Sequence, residues 1–385
     1  MTLSPRLNIR LVFLIQALAT GSMFTRIPDL QSGLGISESV LGLCLLGQPV
    51  GAILTFLLSS RLVETVGTRT IILWGVPLAA AGVAGLALAP SPLLLFFAFA
   101  LFGVMFALTN VAMNVEADRV EAATGKRLMN SCHGLWSVGQ MVTVTVGAIA
   151  RGYGVPATWH FGIIVPFILM ATLVLVLPMQ GAPARAHTRT GPQKRFSLPT
   201  IATLLLVGYA IGGAMLEAAV RNWSVIYMRD SFVVPGWVET LTLPAFIGAT
   251  VGGRLLADRL IARFGATPFA RTLGVIGLVG LGLVVVAPTP VVALVGFFVI
   301  GVGICVSFPL STSAAARLGD RPASENVAAL TMTTQITLLG TPALLGWVAN
   351  TFGIRSIYIV IVPVVLLAIY LAKYLSPKPV VATPA

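Results

Sequence analysis

The chain is built from apolar stretches of about 20 residues that recur from Asn8 to Tyr374, parted by short polar, Pro or Gly breaks. About 20 apolar residues is what an α-helix needs to cross ~30 Å of hydrocarbon. Twelve stretches read as spans: 8–30, 39–60, 69–89, 92–117, 128–150, 157–179, 199–227, 238–257, 270–288, 291–316, 325–350 and 354–375. Each is expected to be helical, because lipid-facing backbone must satisfy its own hydrogen bonds within the segment. Only 9% of the 385 residues are charged and 57% are hydrophobic, too little polar surface for a soluble chain. The expected fold class is an all-α membrane protein with 12 transmembrane helices, with no room for a large soluble domain.

The chain carries 24 Lys and Arg against 12 Asp and Glu. Nucleic-acid binding would need a basic face on a water-exposed domain, which this pattern excludes. The basic residues instead report orientation. With the N-terminus inside, only Arg26, Arg151, Arg221, Arg229 and Arg355 fall on the outer side, and the positive-inside rule puts both termini in the cytoplasm. Trp159, Trp223 and Trp237 then fall near the outer headgroup level. Arg6 and Arg10 precede an apolar run that continues to Phe24 without a small-residue cleavage site, so that run is a span and not a signal peptide. Cys44, Cys132 and Cys305 lie in apolar stretches, odd in number, and imply packing and no disulfide framework.

The segment 180–198 is rich in Pro, Gly and basic residues and reads as a cytoplasmic linker between two bundles, 1–179 and 199–385. SSRLVETVG (59–67) follows the second span and ADRLIARFG (257–265) the eighth, aligning without gaps at an offset of 198 residues. Arg61 matches Arg259, Leu62 matches Leu260, and Gly67 matches Gly265, where glycine allows a tight turn.

This duplicated six-plus-six layout resembles the major facilitator superfamily over the whole chain. The superfamily signature after the second span is roughly G-x-L-x-D-R-x-G-R-[RK]; here Ser60 stands at the first Gly, Glu64 at the acid, Thr65 at the Arg, Gly67 at the second Gly and Arg69 at the final base. The resemblance implies gating loops made of Arg61, Glu64, Gly67 and Arg69 in one half and Asp258, Arg259 and Gly265 in the other. NVAMNVEADRVEAATGKRLMNSCHGLWSVG (110–139), LEAAVRNWSVIYMRD (216–230) and GVGICVSFPLSTSAAARLGDRPASENVAALT (301–331) are similar to a bacterial inner-membrane branch near the fucose:proton symporter group. That branch implies an acid near Asn110 and an Asp at Asn222; both are amides here. The resemblance also implies alternating access about a midplane site lined by spans one, four, seven and ten.

An ionisable side chain inside a span costs several kcal/mol unless paired or wetted, so each is a functional candidate. Glu217 lies about 27 Å along span seven, and Arg221 follows at i+4 on the same face. Glu217 is the expected proton-coupling group, with His133 as its relay. Arg26 precedes Arg221 by 195 residues and, with it, offers forked donors to an anionic or hydroxyl-rich solute, unless Asp29 and Glu217 neutralise the pair. Asn110 and Asn114 share a helix face, and Gln140, Asn222 and Gln335 add amides. Thr331, Thr333, Thr334 and Thr337 read as interhelical glue. Pro49, Pro309 and Pro342 are expected kinks.

A lipid-modifying membrane enzyme would need clustered acids or histidines, and no such spacing is present, nor any metal or cofactor motif. A solute sensor would be expected to carry an added cytoplasmic domain. A drug–proton exporter is the competing transporter class; it often has a Gly-Pro-Gly-Gly-like motif in span five, and 134–150 contains no proline. The sequence therefore reads as a monomeric, proton-coupled symporter of a small polar solute, sugar-like or an organic anion, surrounded by the lipids of the inner membrane.

Overall fold

The computed structural model describes residues 3–126, 128–181 and 198–376. The linker expected at 180–198 lies almost entirely outside the described residues, as does the side chain of Asp258. Among the described residues every regular element is a helix.

In chain order these are α1 (Pro5–Thr20), a 3-10 turn (Gly21–Arg26), α2 (Ile27–Leu34), α3 (Glu38–Leu45), α4 (Gly47–Val66), α5 (Thr68–Leu86), α6 (Pro92–Thr124), α7 (Met129–Gly152) and α8 (Ala157–Val176). They are followed by α9 (Ile201–Ser231), α10 (Gly236–Thr240), α11 (Thr242–Phe264), α12 (Ala266–Val286), α13 (Pro290–Ile304), α14 (Ser307–Ala316), α15 (Ala323–Leu338), α16 (Thr341–Phe352) and α17 (Ser356–Leu371). Eleven helical segments among the described residues are long and apolar enough to cross a membrane. The remaining expected span, 128–150, is the 24-residue α7, whose Asn130, His133 and Gln140 make it more polar than the others.

Local chemistry sets the helix starts. Ser4, Ser37, Ser91, Thr200 and Thr289 each accept the backbone N–H three residues ahead, and Pro opens α1, α6 and α13, where its missing N–H costs nothing. Pro49, Pro309 and Pro342 were expected to kink spans. Each stands two or three residues after a one- or two-residue interruption of the helix, at Leu46, Cys305–Val306 and Leu339–Gly340, inside the spans Glu38–Thr55, Pro290–Ala316 and Glu325–Phe352, as a missing proline N–H dictates; the prolines inside continuous helices are Pro77, Pro166 and Pro363.

Packing divides the chain into two units. One comprises Met1–Arg189, Val233–Pro244 and Pro342–Asn350; the other Thr190–Phe232, Ala245–Thr341 and Thr351–Ala385. The first has a core around Phe13, Val76, Met113 and Ile168, and the second around Leu206, Leu273, Leu310 and Leu371. Trp223 belongs to the buried interior, fully covered, and not to a headgroup belt; Trp159 and Trp237 are exposed. Arg254 lies inside α11.

The two matched loops have the same backbone. Gly67 (φ 84, ψ 148) and Gly265 (φ 84, ψ 156) occupy a region open to glycine alone. Gly67 N–H bonds Val63 O and Ile71 N–H bonds Gly67 O; Gly265 N–H bonds Ile261 O and Phe269 N–H bonds Gly265 O, the same pattern 198 residues later. The repeat seen in the sequence is thus a repeat of conformation.

Helices α4 and α6 meet backbone to backbone, since a methyl group at Gly51 would land on the Ala100 carbonyl and one at Gly103 on that of Gln48. Gly51→Ala is expected to destabilise the protein by about 1–3 kcal/mol. Gly134→Ala, with nothing within 4 Å of the new methyl, should not. Apparent unfolding temperatures in detergent compare the two, and equal values would refute the tight crossing.

Candidate functional site

In the first unit a polar seam joins α1 to α7. Trp136 Nε1 donates to Gln16 Oε1 at 2.7 Å, Gln140 Nε2 to Ala17 O at 3.3 Å and Thr143 Oγ1 to Leu18 O at 3.4 Å. Gln140, a candidate solute ligand, is therefore buried with its amide N–H on the α1 backbone.

Asn110 and Asn114 do share one face of α6. Asn114 Nδ2 donates to Asn110 O (2.8 Å) and Oδ1 (3.2 Å), and its Oδ1 meets His133 Nε2 at 3.2 Å. A carboxamide oxygen only accepts, so His133 carries its proton on Nε2. The ring also stands edge-on to Phe13, with centroids 5.3 Å apart, and its outer side is exposed. Asn110 and Asn114 are half-buried and His133 is exposed, so the three form a polar cluster that reaches solvent.

The largest charge assembly among the described residues was only partly foreseen. Arg26, 2% exposed, donates from Nη1 to Asp29 Oδ2 (2.9 Å) and from Nε to His160 Nδ1 (3.1 Å). Asp29 Oδ1 accepts from Arg151 Nε (2.9 Å), and Arg151 Nη1 pairs with Glu239 Oε2 (2.5 Å). Two cations and two anions balance, which offsets the cost of desolvating them. The 3-10 turn that breaks span one brings Arg26 and Asp29 to face α7 and α8. Arg26 Nη2 and His160 Nε2, both buried, have no protein partner. The sequence reading singled out neither His160 nor Glu239. The available signal was a carboxylate inside the apolar segment 238–257 and a histidine just inside 157–179.

The loop residues divide by role. Arg69 donates from Nε to Val176 O (3.2 Å) and from Nη2 to Leu177 O, capping the end of α8, while Arg61 and Glu64 are exposed. At the matched position of the second unit Thr267 Oγ1 donates to Ala372 O (3.2 Å) after α17. Arg259 is exposed.

In the second unit Arg221 Nε donates to Glu217 Oε1 at 2.9 Å across one turn of α9, with side chains 19% and 36% exposed. Asn222 is half-buried beside them, and Gln335 is exposed on α15. Thr331, Thr334 and Thr337 donate to carbonyls of their own helix four residues back. Arg254, in the middle of α11, donates from Nε to Cys305 O at 2.8 Å, where α13 breaks off. In the first turn of α15, Asn326 Nδ2 donates to Asp320 Oδ1 of the preceding loop at 2.7 Å and holds that carboxyl below its usual range. Among the described residues no group of three or more His, Cys, Asp or Glu could hold a metal ion.

Arg151 and Glu239 are 12% and 10% exposed, so neither is well solvated when alone. Arg151→Ala and Glu239→Ala should each destabilise by about 3 kcal/mol, and the double variant by less than the sum, with a coupling of about 1–3 kcal/mol. Thermal unfolding of the four proteins closes the cycle; strict additivity would dissolve the pair.

The profile of the Major Facilitator Superfamily matches residues 11–336. An uncharacterized transporter, y4wD, of Sinorhizobium fredii is 27% identical over 93% of this chain and 95% of its own. Membrane protein MosC of Rhizobium meliloti is 22% identical over 91% and 85%. Among solved structures, the D323A mutant of the nucleoside transporter NupG superposes with a TM-score of 0.79 at 12% identity, over 97% of this chain and 100% of that one. A D-xylose-proton symporter gives 0.72 at 13% identity, over 97% and 98%. With two units of membrane-spanning helices, a repeated glycine loop and a profile match across most of its length, the chain belongs to the Major Facilitator Superfamily of transporters.

Proposed function

We propose that the protein is a proton-coupled symporter that moves a small polar solute, sugar-like or an organic anion, across the bacterial inner membrane by alternating access, with both termini in the cytoplasm. The observation that carries this reading is the Glu217–Arg221 pair, a half-exposed carboxylate and guanidinium 2.9 Å apart inside a 31-residue apolar helix. Such a pair is costly in hydrocarbon unless it is used. While ionised, Glu217 holds Arg221. Once protonated it loses its charge, and the guanidinium fork is released to a hydroxyl or carboxylate of the solute. Proton uptake and solute binding are then linked through one side chain.

Asn110, Asn114 and His133 are the proposed polar contacts for the solute in the first unit, with Asn222 and Gln335 as further candidates from the second. His133 donates from Nε2, so a solute acceptor can take the place of Asn114 Oδ1. Arg26 and Gln140 serve instead to hold the frame, since Arg26 Nη1 and Nε are bound to Asp29 and His160 and Gln140 Nε2 to Ala17 O. The superposed nucleoside transporter and D-xylose-proton symporter support the reading of a hydroxyl-rich cargo.

A thermal-shift screen of sugars, polyols, nucleosides and organic acids identifies the cargo, because a ligand raises apparent stability by mass action. With that cargo in proteoliposomes, Glu217→Gln should abolish accumulation driven by a pH gradient while leaving counterflow exchange. Gradient-driven uptake equal to wild type would remove Glu217 from the coupling step.

A further inference from the structure

The second unit has an open apolar groove of about 460 Å³ between α11, α12 and the end of α13, walled by Leu256, Leu260, Phe264, Phe269, Ile276 and Val302. Its polar atoms are already used. Thr272 Oγ1 donates to Pro268 O of its own helix, and the Cys305 carbonyl takes the Arg254 guanidinium. Nothing in the walls recognises a polar solute, so an occupant must be held by an apolar body. From Gly253 at the inner end to Phe264 at the loop end the groove follows α11 for about 16 Å of helix rise. One leaflet contributes about 15 Å to the hydrocarbon of a bilayer. The groove therefore has the length of an acyl chain lying in a single leaflet.

The loop end is basic. The Arg263 guanidinium carbon lies 5.2 Å from the centroid of the Phe264 ring that closes the groove, and Arg259 and Arg271 are exposed nearby in sequence on α11 and α12. Among the described residues none of the three is in an ion pair. The first unit offers an instructive contrast. Its groove of about 560 Å³, walled by Ile149, Tyr153, Trp237 and Leu241, has Arg151 beside it, but that guanidinium is committed to Asp29 and Glu239. An apolar channel of leaflet depth that ends in uncommitted guanidinium groups is complementary to a single kind of membrane molecule.

We infer that the groove between α11 and α12 binds one acyl chain of an anionic phospholipid, whose phosphate is held by Arg263 with Arg271 and Arg259. The test of this site needs no knowledge of the cargo. Purified full-length protein in detergent is titrated with phosphatidylglycerol and with phosphatidylcholine of the same acyl chains, and binding is read by native mass spectrometry and by the shift in unfolding temperature. Phosphatidylglycerol should bind more tightly. A basic residue near the membrane surface contributes about a fivefold factor toward anionic lipid, so Arg263→Gln should weaken phosphatidylglycerol about fivefold and leave phosphatidylcholine unchanged. Leu260→Trp, which fills the groove, should weaken both. Arg271→Gln serves as the second variant if Arg263→Gln unfolds in lipid-free detergent. Equal affinity for the two lipids, or an affinity for phosphatidylglycerol untouched by the arginine changes, overturns the proposal. Stabilisation by glycerol phosphate alone to the same extent, or a dimer that Leu260→Trp dissociates, overturns it as well, since the groove would then be no chain site or would be covered by a second copy.

Discussion

Hydrocarbon offers no water to a stray amide, so each break in a span must be closed by a side chain from elsewhere in the same unit. The arginines do much of this. Arg69 takes the last carbonyls of α8, Arg254 the carbonyl that ends α13, and Arg355 the carbonyls of Val285 and Ala287 at the end of α12. Each places positive charge at a helix C-terminus, where the macrodipole favours it. Asn8 does the same for Leu175 with a neutral amide. A basic composition that first reads as loop charge is thus partly structural.

The same rule governs the buried charges. Arg26, Asp29, Arg151 and Glu239 come from the broken first span, from α7 and from the short α10, and their charges sum to zero. Removal of any one would leave a net charge uncompensated in a poorly solvated site. Because α10 belongs by packing to the first unit, the ion chain also anchors the segment Val233–Pro244 there, with Trp237 seated against Gly152. Glu217 and Arg221 differ in kind. They are partners on one helix, and Glu217, 36% exposed, is more open to solvent than any of those four, so theirs is the partnership that can change at lower cost.

Much of the site was legible where the partners share a helix. Glu217–Arg221 and Arg26–Asp29 are four and three residues apart, and Asn110 and Asn114 four, spacings that the helical period turns into contacts. The glycine loop was legible as well, because a conformation barred to other residues leaves its mark at Gly67 and Gly265 alike. Arg151–Glu239, Arg26–His160 and Asn114–His133 were not, since their partners are 88, 134 and 19 residues apart and meet only through helix packing. The interruptions of the spans at Leu46, Val306 and Leu339 were legible too, since each lies three residues before a proline whose missing N–H leaves the ladder open.

Taken alone, the sequence determined that this chain is a bundle of membrane-spanning helices with an internal repeat, because apolar length and glycine placement are properties of contiguous residues. Which polar groups are consumed by the frame and which stay available was decided by tertiary structure alone. That choice depends on which helix faces bring guanidinium, imidazole and carboxylate within about 3 Å of one another, a distance that no local periodicity encodes.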